Sequence, residues 1–455
     1  MTEYDAVIIG AGQAGPSLAR RLAAAGNRVA IIERALFGGT CINTGCTPTK
    51  ALVASAYTAY LARRAGDYGV NIGGAVTVDM KQVKARKDSI VAVSRNYVEA
   101  SLRRTAGITV VQGHAQFVSA HEVTAGGETL NAPRIFINVG ARPAIPAIPG
   151  LDTIPYLTSS TILDLDTIPD HLVIIGGGYV GLEFAQIYRR FGSAVTVIEG
   201  ASRLIGHEDP EISDAVRQIL EAEGIEVKLS TKTTKVEAGI RVSVEGAGGS
   251  ATIEASHLLL AAGRRPNTDD LGLENAGIAV DPRGYIAVDD MLRVSTPGLW
   301  AMGECNGHGA FTHTAYNDFE IVADNLLAGG TRSVRDRITA YALFVDPPLG
   351  RVGLTEHQAV AAGHKVLVGS LPMANVSRAY EKGETLGLMK LIVDGDTKEI
   401  LGAAILGVGG DEVVHSILDL MYAKAPYTIL RQVVHIHPTV AEFTPVLLGS
   451  LKPPK

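Results

Sequence analysis

Short apolar runs punctuated by glycine set the rhythm of this chain. Ala6-Val-Ile-Ile leads into Gly10, Gly12 and Gly15; a helix-like stretch, "PSLARRLAAAG", follows, and then a second apolar strand, "RVAIIE", that ends on Glu33. The order returns as "HLVIIGGGYVGLEFAQIYRRFGSAVTVIE", with Gly176, Gly178 and Gly181 after one strand and Glu199 closing the next. In both copies the acid stands 18 residues after the third glycine. The pattern predicts two strand–turn–helix–strand units. "IFINVGARPAIPAIPG" reads as a strand leaving the first unit and then a Pro-rich crossing. "LLLAAGRRPN" ends the second unit in the same style, and "GLWAMGECNG" adds a strand and an acid, Glu304. From about Ala340 the texture changes. "LMKLIVDGDTKEILGAAILG" alternates like a hairpin with Asp-Gly at its turn, and "DEVVHSILDLMYAKA" repeats like an amphipathic helix, so a separate α+β domain is expected.

Glycines at this spacing, between a strand and a helix and followed by an acid at the next strand end, are suited to a dinucleotide. They allow a tight turn and close approach of the backbone to a pyrophosphate, the helix N-terminus supplies N–H groups, and the carboxylate accepts from ribose hydroxyls. Two such turns that bind nothing would not need matched acids. One flavin and one nicotinamide nucleotide is the pairing expected, because the chemistry then has a carrier and a relay.

A chain of 455 residues exceeds a single core, and two to four domains are expected. A net charge of −6 offers no basic excess for phosphates, which argues against a nucleic-acid partner. No signal-like opening and no 18-residue uncharged apolar run appears, so a cytoplasmic protein without a membrane span is expected. With 3 cysteines, a disulfide scaffold is excluded.

Two of those cysteines, Cys41 and Cys46, fall in "GGTCINTGCTPTK". Idle core thiols, a metal site and a redox pair are the alternatives. In an ideal helix, Cα atoms five residues apart lie about 8–9 Å from each other, whereas a disulfide needs less than about 7 Å. Bridging therefore requires an irregular turn, which Gly45 and the loop-like "INTG" would permit. Helical "KALVASAYTAYLARR" follows, placing Cys46 and Pro48 near a helix start, where a thiolate is stabilised. A metal site would need further ligands, and no second CxxC or HxxxH exists, so no resident metal is expected. The redox reading is the one that the flanking glycines support. An acid/base for such a pair is offered by "VVHIHPTVAEF", with His435, His437 and Glu442.

With "GAGQAG", "GGTCINTGCTPTK", "GGGYVGLE", "AAGRRPN" and "HPTVAE" in this order, the whole chain resembles the pyridine nucleotide–disulfide oxidoreductases with a CxxxxC centre. That family includes dihydrolipoamide dehydrogenase, glutathione reductase and mercuric reductase. The resemblance implies an α/β protein with two Rossmann-like dinucleotide-binding domains and a C-terminal α+β dimerisation domain. The domains would be an FAD-binding domain over 1–150, an NAD(P)-binding domain over 151–270, a central part returning to the FAD domain over 271–338, and the dimerisation domain over 339–455. Electrons would pass from the nicotinamide through FAD to a Cys41–Cys46 disulfide. Cys46 would be the thiolate facing the flavin and Cys41 the interchange thiol. Lys50 would sit at the flavin edge, ion-paired with Glu183; Tyr179 would cover the nicotinamide pocket; Glu33 would hold the FAD ribose. His437, oriented by Glu442, would be the acid/base, reaching the partner's disulfide in a homodimer. Further cofactor contacts are implied at Arg34, Gly39, Thr40, Ala115, Gly140, Arg142, Gly263, Gly303 and Glu304. The family usually has Gly-Asp where this chain has Gly303-Glu304, which weakens the expectation for that contact. Cys305 reads as a small buried residue.

Among family members, the sequence points to a small-molecule disulfide or thiol substrate in the manner of dihydrolipoamide dehydrogenase. A mercuric or other metal-ion reductase is the alternative: "CINTGCTPTKALVASA" and "FVDPPLGRVGLTE" resemble such flavoproteins, but the chain's end, "LLGSLKPPK", has no cysteine pair. A transhydrogenase or diaphorase, or the flavin-bearing subunit of a larger complex, are further readings. Glu199 would repel a 2′-phosphate and favours NAD(H) over NADP(H), with Arg203 close enough in sequence to soften this.

Overall fold

A computed structural model describes residues 2–454. The chain folds as two compact units. One takes the N-terminal segment to Ala51, Gln82–Ala144 and Gly263–Arg337; the other takes Leu52–Lys81, Ile145–Ala262 and the chain from Ile338 on.

The first unit is built on a five-stranded parallel sheet in the order Leu299–Ala301, Ile135–Ile137, Ala6–Ile9, Val29–Glu33, Ile108–Gln112. The Ala6–Ile9 and Val29–Glu33 strands are buried along their whole length, as continuous apolar runs in a covered parallel sheet should be. The helix Gly15–Ala24 covers this sheet with Leu18, Ala19 and Leu22, and a four-stranded sheet is attached to the same unit.

The second unit repeats the plan. Its parallel sheet runs Leu157–Thr158, His257–Leu260, His171–Ile175, Ala194–Ile198, Glu226–Lys228, again with the strand before the glycine turn at the centre. A three-stranded antiparallel sheet takes the place of the four-stranded one. The same unit carries the C-terminal five-stranded antiparallel sheet, ordered Ala340–Leu343, Leu349–Gly353, Ile400–Leu406, Leu388–Asp394, Val366–Pro372, against which the helix Gly410–Tyr422 packs. The expected mixture of α/β and α+β parts is therefore present.

Three local expectations change. The hairpin residues Leu388–Asp394 and Ile400–Leu406 do not alternate in burial but are buried almost throughout, because both strands lie inside the sheet and both faces are covered. The Asp-Gly turn is longer than two residues, and Asp394 organises it by accepting from the backbone N–H groups of Asp396 (2.8 Å) and Thr397 (3.1 Å). The Pro-rich crossing is not wholly irregular, since Ala141–Pro143 forms a short antiparallel ladder with Arg264–Pro266.

Candidate active site

The two glycine turns are geometrically equivalent. Gly10 has φ 101° and Gly176 φ 114°, a region that L side chains rarely enter. A Cβ on Gly10 would fall 2.3 Å from the Asn138 carbonyl oxygen, and one on Gly176 2.5 Å from that of Ala261. On Gly15 and Gly181 it would fall 2.2 Å from the carbonyl oxygens of Gly10 and Gly176, so helix and strand cross backbone to backbone. The acids match as well. Glu33 accepts from the N–H groups of Ala11 (2.9 Å) and Ala35 (2.8 Å), while Glu199 accepts from those of Gly177 (2.7 Å) and Ala201 (2.7 Å). Each carboxylate is thus fixed at the mouth of its turn.

The residues around the first turn fit a pyrophosphate. Gly39, at φ 61°, lies so close that its Cβ would come 2.8 Å from the Gly12 Cα, and a Cβ on Gly12 would come 3.1 Å from Asn138 Oδ1. Two Cβ-free positions thereby form a backbone cradle at the N-terminus of the Gly15–Ala24 helix. At Gly178 a Cβ would meet nothing within 4 Å, so the second turn is open on that side.

The cysteines lie where two helices meet. Gly39–Asn43 is one short helix, Cys46–Arg63 a second, and the chain breaks between them at Thr44, with φ −141° and ψ 19°. Half of the "INTG" stretch expected as loop is therefore helical. Gly45 is needed for close approach and not for a left-handed backbone: its Cβ would sit 2.8 Å from the Thr40 carbonyl oxygen and 3.3 Å from the Cys41 Cα. Cys41 is half-buried and Cys46 exposed. A hydrogen bond to Cys46, burial, and negative charge on Cys46 hold the Cys41 thiol well above the ordinary range, and a hydrogen bond with Thr312 partly offsets them. Cys46 Sγ lies 3.6 Å from Thr312 Oγ1, at the start of the Thr312–Ala328 helix, and Cys46 itself opens a helix. Two helix N-termini thus favour negative charge on that sulfur.

The other implied positions vary in their engagement. Arg34 is ion-paired with Asp270 at 2.6 Å, and Arg142 holds Asp269 through both terminal nitrogens at 3.0 and 2.7 Å. The Ala115 side chain is buried in the core of the first unit. Glu304 accepts from Arg264 Nε at 2.6 Å, so the longer carboxylate is already committed on one oxygen. Gly303 donates to Asp318 Oδ2 at 2.7 Å. Thr40 lies within the short helix and accepts from Thr44 N at 2.9 Å. Gly140 (φ 62°) and Gly263 (φ 108°) have open space where a Cβ would be. Lys50 lies on the helix that Cys46 opens. Tyr179 begins the Tyr179–Phe191 helix, which also carries buried Glu183, and Glu183 accepts from Phe344 N at 3.0 Å. Arg203 lies in the exposed turn after Glu199. Cys305 is fully buried, and desolvation pushes its thiol up to about 12.

His437 Nδ1 is bonded to Glu442 at 2.9 and 3.1 Å, which leaves Nε2 facing outward on a side chain 74% exposed. Apolar neighbours are exposed too, Val434 at 95% and Ile436 at 79%. His435 is only partly exposed, and its Nδ1 is buried without a hydrogen-bond partner. Among the described residues no group of three His, Cys, Asp or Glu is placed to hold a metal, and no helix is long and apolar enough to cross a membrane.

Sequence reasoning missed Asn138. Its side chain accepts from Gly15 N (3.0 Å) and donates to the Met302 carbonyl (3.0 Å), tying the glycine turn to the edge of the sheet. Thr312 and Asp318 were missed as well. Asn138 and Thr312 act across long sequence separations, Asp318 only across 15 positions to Gly303, and only the Asn in "INVG", just past a predicted strand end, carried a signal.

A profile of the pyridine nucleotide-disulphide oxidoreductases matches residues 4–318, and one of that family's dimerisation domain matches residues 339–446. The chain is 40% identical to the probable pyridine nucleotide-disulfide oxidoreductase RclA of Escherichia coli (strain K12), over 99% of this chain and 100% of that protein. It is 36% identical to a mercuric reductase of Streptomyces lividans, over 97% of this chain and 94% of the other. A solved structure, the Cu(II) complex of the HOCl-induced flavoprotein disulfide reductase RclA from Escherichia coli, superposes with a TM-score of 0.89 at 38% identity, covering 99% of both chains. The chain belongs to the pyridine nucleotide-disulphide oxidoreductase family and is a flavoprotein disulfide oxidoreductase that uses FAD and a pyridine nucleotide.

Proposed function

We propose that this enzyme passes electrons from NADH to the Cys41–Cys46 disulfide and on to a small-molecule disulfide. The observation that carries the reading is the asymmetry of the two sulfurs: Cys46 opens one helix and lies 3.6 Å from Thr312 Oγ1 at the start of another, where negative charge is favoured, while burial and the contact with Cys46 hold Cys41 toward its thiol form. One sulfur is thereby set up as a standing thiolate and the other as the group that meets substrate.

FAD would be held by the Gly10–Gly15 turn, Glu33 and the Gly12–Gly39 cradle, and when bound it supplies two-electron exchange between the nicotinamide and the disulfide. The chain's own residues do the rest. Cys41 gives its proton to His437 and attacks one sulfur of the substrate disulfide. A Cys41–substrate bond forms, the substrate S–S bond breaks, and the leaving thiolate takes a proton from His437. Cys46 then attacks Cys41, which restores the Cys41–Cys46 bond and releases the second substrate thiolate. Glu442, at 2.9 Å, fixes the His437 tautomer and supports its imidazolium. His437 would act on the partner chain's cysteines in a homodimer, and the exposed Val434 and Ile436 beside it supply apolar surface for such an interface. Glu199, held by two backbone N–H groups at the end of its strand, would accept from the ribose hydroxyls of NADH and repel a 2′-phosphate.

A second reading keeps the same dithiol and changes the acceptor to a metal ion. It is favoured by the likeness to a reductase solved with Cu(II) and to a mercuric reductase. The test is a panel of lipoamide, glutathione disulfide and related disulfides, Hg(II) and Cu(II), each with NADH and NADPH, on the wild type and on the Cys41→Ser, Cys46→Ser double variant. Turnover of a disulfide that disappears in the variant, with electron transfer to a dye retained, supports the reading. Turnover of metal ions alone moves it to the second.

A further inference from the structure

The loop that follows Glu199 is strapped to the second glycine turn from both sides. Gly177 gives its N–H to Glu199 and its carbonyl accepts from Ile205 N at 2.9 Å. A Cβ on Gly177 would strike Leu204 Cδ2 at 2.7 Å, so loop and turn are in full contact. Ile205 adopts φ 40°, an unfavourable region for a β-branched residue, which persists only where the surroundings over-determine it.

What over-determines it lies in the C-terminal sheet. Three residues on, Glu208 and Asp209 are buried, with 0% and 2% of their side chains exposed, and Arg351 grips both. Its Nε lies 3.0 Å from Glu208 Oε2 and its Nη2 2.8 Å from Asp209 Oδ2. The Tyr341 hydroxyl donates to the other Glu208 oxygen. Lys390, also fully buried, lies 3.4 Å from Asp209 Oδ2 and is shared with Glu211 and Glu356. Burying so many charges is costly, and replacing them with apolar side chains would often be as stable, so a role other than stability is indicated.

The first glycine turn makes the contrast. There the strap is Gly38 N to the Ala11 carbonyl at 2.8 Å, and the chain beyond it becomes the helix that carries Cys41. The same strap in the second domain ends in the ionic cluster of the C-terminal sheet.

We infer that Arg351, with Tyr341 and Lys390 behind it, is a positioning residue for the nicotinamide nucleotide: the C-terminal domain fixes the 199–209 loop and through it the turn that receives the dinucleotide. The inference rests on the reading that the second turn is the nicotinamide site. It is tested by calorimetric titration of NAD+ into the FAD-loaded, oxidised enzyme, with hydrogen exchange at the Ile205 amide. Arg351→Lys keeps the charge and loses the fork; Tyr341→Phe removes one bond and no charge. Arg351→Lys should weaken NAD+ binding about tenfold, equivalent to about 1.4 kcal/mol, and speed exchange at Ile205. Tyr341→Phe should do the same to a smaller extent. FAD content and the rate at which an excess of external dithiol reduces the disulfide should match the wild type. NAD+ affinity within twofold of wild type in both variants overturns the inference. So does a loss of affinity that tracks a parallel loss of FAD, which would mark a merely structural role. If Glu199→Ala leaves NAD+ affinity unchanged, it is the nicotinamide assignment itself that falls.

Discussion

A Cβ on Gly45 would lie 3.3 Å from the Cys41 Cα and 2.8 Å from the Thr40 carbonyl oxygen, so this glycine sets how closely the second cysteine's helix approaches the first cysteine. Gly45→Ala should push the two helices apart at a cost of about 1–3 kcal/mol and shift the balance between dithiol and disulfide. Thermal unfolding and a redox titration of the Cys41–Cys46 couple measure both. Wild-type values for both would show that the turn yields freely.

The sulfurs should separate spectroscopically. In the two-electron-reduced enzyme a long-wavelength charge-transfer band is expected from thiolate Cys46 toward the flavin. Cys46→Ser should abolish it. Cys41→Ser should show it without reduction, because Cys46 then has no partner to oxidise it. A Cys41→Ser protein lacking the band at neutral pH would reverse the assigned roles.

Cys305 gives a pH prediction with a definite sign. Burial raises its thiol from 9.0 to about 12, so the folded protein keeps a proton that the unfolded chain can lose. Its contribution is complete below pH 9.0 and is lost as pH climbs toward 12, with a slope of at most about 1.4 kcal/mol per pH unit. Cys305→Ala should flatten that part of the alkaline unfolding curve. In the native wild type after two-electron reduction at pH 8, iodoacetamide should label the Cys41–Cys46 pair and spare Cys305.

Glu199→Ala should shrink the preference for NADH over NADPH by about 1–3 kcal/mol, the worth of a charge-assisted hydrogen bond. Ratios of kcat/KM for the two donors measure it. A wild type that prefers NADPH would transfer the specificity role to Arg203.

Sites shared between chains should be rescued by mixing. When inactive Cys41→Ser and inactive His437→Ala subunits exchange at equal amounts, half of the dimers are mixed and each mixed dimer has one intact site. About a quarter of wild-type site activity should then return. Proven exchange with no activity would place His437 in the same site as its own chain's cysteines.

What was legible in the sequence was local. The glycine spacing and the acid 18 residues beyond it revealed both dinucleotide turns, because a strand, a turn and a helix in succession constrain one another within 30 residues. The five-residue spacing of the cysteines pointed to a broken helix, and Gly45 marked the break, although the reason is crowding and not backbone freedom. The missed residues act at a distance. Asn138 serves Gly15 from 123 positions away, and Arg351 grips Glu208 from 143. In sequence they look like any Asn after a strand or any Arg in one. The buried hairpin misled for a related reason: alternation reports one covered face, and these strands have two.

The Asn138 bonds also bear on how the protein is made. Residues flanking the second domain's insertion point must meet for the first sheet to be complete: Ile135–Ile137 pairs with Leu299–Ala301, and Asn138 reaches both Gly15 and Met302. On the ribosome, chains emerge from the N-terminus and domains fold as units. The sheet that begins first therefore waits for residues beyond 300, while the five strands of the second dinucleotide sheet, all between Leu157 and Leu260, have already emerged. The N-terminal domain is the first to be started and cannot be the first to be finished, and its unpaired Ile135–Ile137 edge is the surface a nascent chain must keep from other strands in the interval.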